Sequence, residues 1–302
     1  MTTPPDISVI IPTCNRNREL QRCLAALSAQ TYTGNGFEVI VVDDGSDSSL
    51  EPVIAPYRDC LNIQLIEQEN AGPARARNTG VRHAAGTLLV FTDDDCEAHP
   101  EWLAALDARC RQKPECLIGG RTANGLPDNL YSTASQCLLD YLYEYYGTSD
   151  TRAIDTPTSA SAFFASNNLA VPAAAFRELG GFNESFLLAA GEDREFCDRW
   201  QEAGRDLVGA DEAKIQHFHD LSFGTFCRQH LNYGRGAFHL RKARIQKGVA
   251  PFGLEPLRFY RRLLTYPLRT TRLPRAALLI ALLGISQVAN AMGFLMELQR
   301  QS

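Results

Sequence analysis

The chain has 302 residues, of which 45% are hydrophobic and 22% are charged. This is the composition of an ordinary globular protein with an ample core, and it excludes wholesale disorder. The formal net charge at pH 7 is only −5, but the charges are unevenly distributed along the chain.

The last quarter of the chain is basic, whereas the rest is acidic. From Arg228 to Ser302 there are 13 Lys and Arg residues and two acids, while the preceding 227 residues carry 17 basic and 33 acidic residues. A basic tail on an acidic body indicates an anionic partner. Because the tail lacks the base-stacking aromatics of a known nucleic-acid module, we expect a membrane surface and no nucleic acid.

The cysteines and the N-terminus both indicate the cytoplasm. The nine cysteines include no C-x-x-C pair, which excludes the usual zinc motifs and a disulfide framework and fits a reducing compartment. Met1 to Asp6 do not form a basic segment followed by an apolar one, so no signal peptide is predicted. We therefore expect a cytoplasmic protein, peripheral at the inner face of the membrane.

Strands and helices are predicted to alternate through the first 95 residues. Short apolar runs predict buried strands, and leucine and alanine at helical spacing predict the helices between them. The predicted strands are residues 7–12, 37–42, 63–66 and 87–92, and the predicted helices are residues 18–29, 50–57 and 74–84. This alternation is typical of a doubly wound parallel α/β sheet.

Polar residues follow three of these strands at the point where each one ends. They are Pro12-Thr13, Asp43-Asp44 and Asp93-Asp94-Asp95. Ligands of such sheets bind beyond the carboxyl ends of the strands, so the three groups are expected to share one site. Adjacent carboxylates raise one another's pKa unless a cation lies among them, which favours Mg²⁺ or Mn²⁺. The alternative is a solvated acidic loop.

The chain has neither a G-x-G-x-x-G fingerprint nor a P-loop, so a dehydrogenase or P-loop enzyme is not expected. The negative charge of a bound phosphate group must then be balanced by a metal ion at Asp93–Asp95 and by Arg75 or Arg77. The alternative for these arginines is solvated charge on a helix surface.

Residues 7 to about 200 resemble a family 2 glycosyltransferase of the GT-A fold. Six motifs carry the resemblance, in the family's order: Ser8-Val9-Ile10-Ile11-Pro12-Thr13 with Asn15; Glu38-Val39-Ile40-Val41-Val42-Asp43-Asp44-Gly45-Ser46; Gly72-Pro73-Ala74-Arg75-Ala76-Arg77-Asn78-Thr79-Gly80; Asp93-Asp94-Asp95; Gly180-Gly181-Phe182-Asn183-Glu184; and Gly191-Glu192-Asp193. The tail beyond about Phe252 is not covered by these motifs. The resemblance implies a Rossmann-like nucleotide-binding sheet, an acceptor-binding second half and, here, a helical C-terminal tail.

The resemblance also implies roles for the residues of the donor site. Asp44 would contact the base or ribose of a nucleotide-sugar, and Pro12 would touch the base through its backbone. Asp93 would lie near the ribose, and Asp95 would bind the metal that bridges the diphosphate. The remaining residues expected at the nucleotide-sugar site are Thr13, Arg75, Arg77, Asn78 and Asp94.

The second acid of the Glu192-Asp193 pair matches the family's general base. Inversion requires a carboxylate on the face of the sugar opposite the leaving group, to deprotonate the acceptor hydroxyl. Asp193 is therefore the expected catalytic residue and Glu192 a supporting one. The alternative is ordinary acidic charge at a helix N-terminus.

Two further positions in the second half are candidates. In His217-Phe218-His219, alternation places both imidazoles on one side of an extended segment, and His217 is the preferred metal ligand. The alternative is that both are structural histidines. Asn168, in a stretch of small polar residues, is expected to line the acceptor site or support it.

The chain is expected to divide into three parts. Residues 1–125 form the nucleotide-sugar-binding half, residues 126–227 form the acceptor-binding, catalytic half of the same domain, and residues 228–302 form the basic, apolar tail. Ala276 to Leu295 are about 20 residues without charge, long enough to span a bilayer. Because Ser286, Gln287 and Asn290 interrupt them, we expect a helix on the membrane surface rather than across it. The alternative is a helix that packs on the body.

The expected function is inverting transfer of a sugar from a nucleotide-diphospho-sugar, UDP being favoured, to a hydroxyl of a carbohydrate or lipid-linked acceptor. Cell-envelope polysaccharide or glycolipid synthesis is the expected setting. A sugar-phosphate nucleotidyltransferase is an alternative, but it would need a glycine-rich, lysine-bearing loop that Pro12 to Arg18 does not supply. A non-catalytic nucleotide-sugar-binding protein is the other alternative.

Overall fold

The computed structural model describes residues 5–147, 162–188, 190–248 and 255–301. Within these ranges, eight strands form one sheet: β1 (Ile7–Thr13), β2 (Phe37–Asp44), β3 (Asn62–Gln68), β4 (Leu88–Thr92), β5 (Cys96–Ala98), β6 (Leu117–Asn124), β7 (Asn168–Pro172) and β8 (Leu207–His217). The helices are α1 (Asn17–Ser28), α2 (Glu51–Ile54), α3 (Pro73–His83), α4 (Trp102–Gln112), α5 (Leu130–Tyr146), α6 (Ala173–Glu178), α7 (Glu192–Glu202), α8 (Phe223–Gln246), α9 (Leu257–Thr265), α10 (Pro267–Thr270) and α11 (Leu273–Gln301).

The sheet is mixed, in the order β3-β2-β1-β4-β7-β6-β8-β5. The strands β1 to β4 are parallel, as their alternation with helices predicts. The later strands, outside the region for which parallel strands were predicted, are mixed: β7 runs antiparallel to β4 and β6, β5 runs antiparallel to β8, and β6 runs parallel to β8. An apolar run identifies a buried strand but not the direction in which it runs.

Alternate residues of the central strands pack into two cores, one on each face of the sheet. On β1, Val9 and Ile11 belong to the core that contains Trp102, whereas Ile10 belongs to the core that contains Trp200. Both tryptophans are fully buried. A sheet buried on both faces holds the carboxyl ends of its strands in fixed positions, and these ends form one wall of a cleft.

Helices α8 and α11 form the other side of the cleft and cross in close backbone contact. A Cβ atom on Gly234 of α8 would collide with the carbonyl oxygen of Asn290, and one on Gly293 of α11 would collide with that of Leu231. Helix α8 begins at a capping box in which Ser222 and Thr225 exchange hydrogen bonds. The expected boundary after residue 227 therefore falls inside a continuous helix, whereas the boundary after residue 125 falls in the loop between β6 and α5.

Helix α11 packs on the body along one face and exposes the other. Ala276, Leu279 and Leu283 are buried in its inner face. The region Leu273–Arg300 is long and apolar enough to cross a membrane: its most apolar 18-residue stretch has a mean hydropathy of 1.9, and 33% of that stretch is buried. The inner face of α11 therefore packs on the body of the protein, which was the stated alternative to a helix on the membrane surface.

Candidate active site

Asp93, Asp94 and Asp95 lie at the carboxyl end of β4, between that strand and β5. The backbone enters β5 immediately after the triplet, so the three carboxylates point in different directions. Asp94 and Asp95 are buried, whereas the Asp93 side chain is 28% exposed. The three acids have different sets of partners, although Asp94 and Asp95 share Arg16.

Asp94 is bound by two residues from the end of β1 and the loop that follows. The Thr13 hydroxyl donates a hydrogen bond of 2.7 Å to one carboxylate oxygen, and the Arg16 guanidinium lies 2.8 Å from the other. Burial raises the pKa of Asp94 to about 7, although Arg16 opposes this shift.

The same Arg16 guanidinium also lies 2.8 Å from Asp95, so one arginine bridges two adjacent acids. Sequence reasoning missed this residue. The available signal was the loop from Asn15 to Arg18, which carries two arginines directly after the first strand. Arg16 therefore places positive charge beside Asp94 and Asp95. The sequence pattern had predicted that a metal ion would supply this charge.

The remaining oxygen of Asp95 faces His217, whose Nε2 atom is 3.1 Å away. Strand pairing of β5 with β8 sets this contact, because Cys96 is directly opposite His217. Burial favours neutral Asp95, but His217 and Arg16 hold the pKa of Asp95 well below its usual range. Burial likewise opposes protonation of His217, yet Asp95 raises the pKa of His217.

His219 stacks on His217, with ring centroids 5.2 Å apart, and the structure places His217 rather than His219 against Asp95. Burial and the neighbouring His217 lower the pKa of His219 to about 4, so the His219 ring is neutral near pH 7.

The residues at this point fit a divalent cation. Ligand atoms of Asp95, Cys96 and His217 lie within 4.8 Å of one another. Burial raises the pKa of the Cys96 thiol well above its usual range, so Cys96 remains protonated and is a poor ligand. A carboxylate with an imidazole suits Mn²⁺ better than Mg²⁺, which prefers oxygen ligands and water.

Arg77 connects the first half of the chain to the second. Its guanidinium is buried and lies 2.7 Å from Asp93 and 3.0 Å from Glu192. One arginine of α3 therefore holds an acid of the triplet and an acid of α7 in a single buried network. Such a network is stable only when all its members are present, because removal of one charge leaves the others unpaired.

Asn78, the next residue of α3, binds the turn that contains Gly180 and Gly181. Its amide nitrogen donates to the Phe182 carbonyl oxygen at 2.8 Å, and its amide oxygen accepts from the Phe182 backbone N–H at 2.9 Å. Asn78 therefore fixes the segment that leads to Glu192 and Asp193, instead of lining the cavity itself.

Glu192 and Asp193 begin α7, directly after Gly191, whose φ of +94° is a conformation that favours glycine. The Asp193 carboxylate accepts the Arg194 backbone N–H at 2.7 Å and borders the cavity. Burial raises the pKa of both Glu192 and Asp193. One oxygen of Glu192, Oε2, is buried and has no hydrogen-bond partner among the described residues, so it is available to a bound ligand.

Asp44 has both carboxylate oxygens occupied by the segment after β3. One accepts from the Gln68 amide at 2.7 Å and the Ala71 N–H at 2.9 Å, and the other accepts from the Gly72 N–H at 2.9 Å. Asp44 thus holds the segment that leads into α3. Its expected contact with a base or ribose remains a prediction.

Arg75 and Asn168 also lie away from the cavity, whose lining includes none of Pro12, Thr13, Asp44, Asn78 and Asp94. Arg75 is on the surface, with its Nε 4.0 Å from Glu184, in a separate depression with Gln68 and Asn70. Asn168 is buried behind the cavity, where it accepts from the Trp102 indole N–H at 2.8 Å and donates to the Ala213 carbonyl oxygen at 3.0 Å. Since these bonds occupy both ends of its amide, Asn168 supports the fold of the wall.

A cavity of about 640 Å³ joins the acids to helices α5, α8 and α11. Asp93, Asp95, Asp193 and His217 line one region of it. Leucines and amides line another region, and these are Leu138, Leu139, Leu142, Leu240, Gln229, Asn232, Gln287 and Asn290. Arg194, Asp220 and Arg228 are among the other residues that line the cavity. The cavity therefore combines a charged region with a neutral, partly apolar one, as a site for two different substrates would.

The chain matches two family models. The model described as glycosyl transferase family 2 matches residues 8–170, and the model described as glycosyl transferase family group 2 matches residues 147–297. The first match includes β1 to β4 and the acidic triplet. The second includes the catalytic candidates and most of α11.

Curated relatives agree with these matches. The glycosyltransferase AglE of Haloferax volcanii is 29% identical over 244 residues, which are 78% of this chain and 74% of that protein. The validoxylamine A glucosyltransferase of Streptomyces hygroscopicus subsp. limoneus is 34% identical over 230 residues, 69% of this chain and 51% of that protein. The chain thus spans about half the length of the Streptomyces relative.

Solved structures show the same fold at lower identity. A mannosyltransferase from Pyrobaculum calidifontis, in complex with GDP-Man and Mn²⁺, superposes with a TM-score of 0.67 and 18% identity, covering 100% of this chain and 89% of that one. Residues 1–349 of TarS from S. aureus, in complex with UDP-GlcNAc, give a TM-score of 0.54 and 19% identity, with coverage of 98% and 91%. The expected GT-A fold is confirmed, and the chain belongs to glycosyl transferase family 2.

Proposed function

We propose that the protein is an inverting glycosyltransferase that moves a sugar from a nucleotide-diphospho-sugar, with UDP as the favoured nucleotide, to a hydroxyl group of an acceptor. The observation that carries this proposal is that the carboxylate of Asp193 borders the same cavity as Asp93, Asp95 and His217. The solved complexes with GDP-Man and UDP-GlcNAc support a nucleotide-sugar donor.

Asp193 is the proposed general base. Its carboxylate takes the proton of the acceptor hydroxyl as the oxygen attacks the anomeric carbon and the bond to the diphosphate breaks. Burial helps, because a raised pKa makes the carboxylate a stronger proton acceptor. Glu192, held by Arg77, is proposed to orient the donor sugar with its unpartnered oxygen.

Asp95 and His217 are the proposed ligands of a divalent cation, Mn²⁺ being favoured over Mg²⁺ by the imidazole. When bound, the cation would neutralise charge on the departing nucleoside diphosphate. Asp93, held by Arg77, is proposed to face the ribose, and Asp94 supports Arg16 and the end of β1. Pro12, Thr13 and Asp44 are proposed to form the edge of the base pocket, with Asn78 behind it and Arg75 at its outer surface.

An anionic membrane surface is the proposed location, on the cytoplasmic side. The outer face of α11 exposes apolar side chains at helical spacing, namely Leu278, Ile285, Val288, Met292 and Leu295. The segment before α11 exposes four arginines that have no carboxylate partner among the described residues: Arg258, Arg261, Arg262 and Arg272. Apolar insertion combined with attraction of arginines to anionic lipid is the usual basis of peripheral binding.

Cell-envelope polysaccharide or glycolipid synthesis is the proposed setting, because a membrane-bound enzyme meets acceptors that are themselves at the membrane. Among the relatives, the hyaluronan synthase of Pasteurella multocida is named for a polysaccharide product, and it is 31% identical over 218 residues. That relative is much longer, with 22% of its length matched, so it supports the setting and not the product.

A donor screen tests the proposed function. The full-length protein is mixed with UDP-, GDP- and other nucleotide-sugars with and without Mn²⁺, and thermal stabilisation and donor hydrolysis are measured. We expect one class of donor to stabilise the protein only when Mn²⁺ is present, and its hydrolysis to release a sugar of inverted configuration, detected by NMR. Absence of stabilisation by every donor, or release with retained configuration, would contradict the proposal.

A further inference from the structure

We infer that Asn232 of α8 and Asn290 of α11, with Gln287, bind the hydroxyl groups of an uncharged sugar on the acceptor, so that the C-terminal helix is part of the active site. This inference rests on the proposed function, because it assumes that the cavity is where transfer takes place. It adds the acceptor class and the residues that select it, none of which belongs to the six sequence motifs.

The amides of Asn232 and Asn290 have no hydrogen-bond partner within the described part of the chain, although both residues are half-buried and line the cavity. Other amide side chains that line the cavity already have hydrogen-bond partners within the protein. The amide of Gln136, for example, donates to the Thr122 carbonyl oxygen and to Asp140, and that of Gln229 donates to the Tyr233 hydroxyl. Unused amides in a half-buried wall are costly unless water or a ligand satisfies them.

The two asparagines lie on helices that are in direct contact at the cavity. The carbonyl oxygen of Asn290 lies where a Cβ atom on Gly234 would be, so Asn290 sits beside the turn of α8 that follows Asn232. Gln287 is three residues before Asn290 on α11, hence on the same side of that helix. Its amide nitrogen has one weak partner, the Ser286 hydroxyl at 3.2 Å.

Helix α8 also connects these amides to the proposed base. Gly236 of α8 lies against the carbonyl oxygen of Ala190, two residues before Glu192. Asn232 is four residues before Gly236, which places it on the same face of α8 one turn away. A hydroxyl-bearing ring that contacts Asn232 therefore lies next to the segment that carries Asp193.

The chemistry of this wall identifies the class of ligand. An amide group offers two donors and an acceptor, which matches hydroxyl groups that both donate and accept. The amides are neutral and the neighbouring side chains Leu138, Leu142 and Leu240 are apolar, although the basic side chains of Arg194 and of the exposed Arg228 also line the cavity. Apolar surface beside amides suits the two sides of a neutral pyranose ring, its C–H face and its hydroxyl edge.

Kinetics of the variants Asn232→Leu and Asn290→Leu test the inference, because leucine keeps the branched shape of asparagine and carries two methyl groups in place of the amide oxygen and nitrogen. The acceptor probes are neutral n-octyl glycosides of glucose, galactose, mannose and N-acetylglucosamine, and hydrolysis of the donor without glycoside is measured in parallel. We expect the KM for the accepted glycoside to rise about threefold to tenfold in each single variant, as expected for loss of a neutral hydrogen bond. Donor affinity and donor hydrolysis should stay within about twofold of the wild type.

Val288→Thr on the exposed face of α11 is the matched control, and it should change none of these quantities. A thermal midpoint equal to that of the wild type shows that each leucine variant is folded, and Gln287→Leu provides a third, independent position. Unchanged KM in all three variants would overturn the inference. A wild-type enzyme that hydrolyses its donor but neither binds nor glycosylates any of the neutral glycosides would also overturn it, while leaving the proposed function intact. Failure to bind any donor would instead contradict the proposed function itself.

Discussion

Asp193 is the residue whose environment has the clearest chemical consequence. It is partly open to the cavity, accepts a backbone N–H and lies beside a second buried acid, Glu192. Burial of an ionised carboxylate costs folding stability, and the raised pKa of Asp193 reflects that cost. Active-site acids commonly carry this penalty in exchange for reactivity.

The raised pKa predicts how the rate depends on pH. A general base must be ionised to act, so activity falls as the pH drops through the pKa of Asp193, and a raised pKa moves this fall to a higher pH. We expect the acid limb of the kcat/KM profile to lie above the ordinary titration range of an aspartate. A limb at or below that range would show that Asp193 is not the titrating base.

The raised pKa of Asp193 also predicts that replacing its carboxylate by a neutral amide stabilises the folded protein. Because the folded-state pKa of Asp193 is raised, its ionisation destabilises the fold as the pH rises above the value for an unfolded aspartate. Asp193→Asn should therefore be more stable than the wild type at pH 7, by about 0.5–2 kcal/mol, and equally stable at strongly acid pH. Urea unfolding at both pH values measures this, and lower stability at pH 7 would contradict it.

Arg16 has a different role, as an internal cation for Asp94 and Asp95. Its side chain is 38% exposed, so the pairs are open to water at one end. Without it the two buried acids repel each other more strongly, and a metal ion gains more by binding there. In EDTA, Arg16→Gln should melt at a lower temperature than the wild type, and addition of Mn²⁺ should raise its melting temperature by a larger amount. Arg18→Gln, two residues further along in the first turn of α1 and exposed, is the control and should match the wild type in both conditions.

Helix α11 depends on glycine at one position and not at another. A Cβ on Gly293 would collide with the carbonyl oxygen of Leu231, whereas a Cβ on Gly284 would meet no atom within 4 Å. Gly293→Ala should therefore destabilise the protein by about 1–3 kcal/mol through overpacking. Gly284→Ala should stabilise it by about 0.5–1 kcal/mol, since alanine favours a helix interior. Chemical unfolding of both variants checks the prediction, and shifts of the same sign would show that the two helices are not packed in this way.

The strands and helices of the first half were predictable from the sequence, whereas the arrangement of the elements that follow them was not. Apolar runs and strand-end acids identified β1, β2 and β4 and the edge at which their ligands bind, because parallel strands with helices between them leave few alternatives. The direction of β7 was not predictable, since it depends on packing across the sheet. The position of α11 was also unpredictable, because its contact with α8 depends on backbone proximity at glycines.

Some residues of the candidate site were likewise predictable from the sequence, and others were not. Asp95 and Asp193 were predicted from the resemblance of their short motifs to those of the family, and both line the cavity. Arg16 was missed because an arginine in a loop is usually solvated, and only the tertiary structure shows that it contacts two acids. Asn168 lies behind the wall, where it accepts a hydrogen bond from Trp102 of α4, and no local pattern indicates this contact.

The uneven charge of the whole molecule predicts how it binds membranes. The body is acidic and the tail basic, so an anionic surface attracts only the end that contains α9 to α11. The protein should float with vesicles that contain phosphatidylglycerol at low salt, and binding should weaken at 0.5 M salt as the charges are screened. Replacement of Leu278, Val288 and Met292 by glutamine should abolish flotation, whereas Leu187→Gln, an exposed leucine elsewhere, should not. Equal binding to purely zwitterionic vesicles would exclude the electrostatic contribution.

The central claim is that Asp193 performs base catalysis in a cavity where the donor is bound by other residues. The most direct measurement compares wild type and Asp193→Asn in donor affinity, by calorimetry with Mn²⁺, and in single-turnover transfer. We expect the affinity to change by less than about threefold while transfer falls by about 10²- to 10⁴-fold, the usual contribution of a general base. Transfer within tenfold of the wild type, with the donor still bound, would contradict the claim.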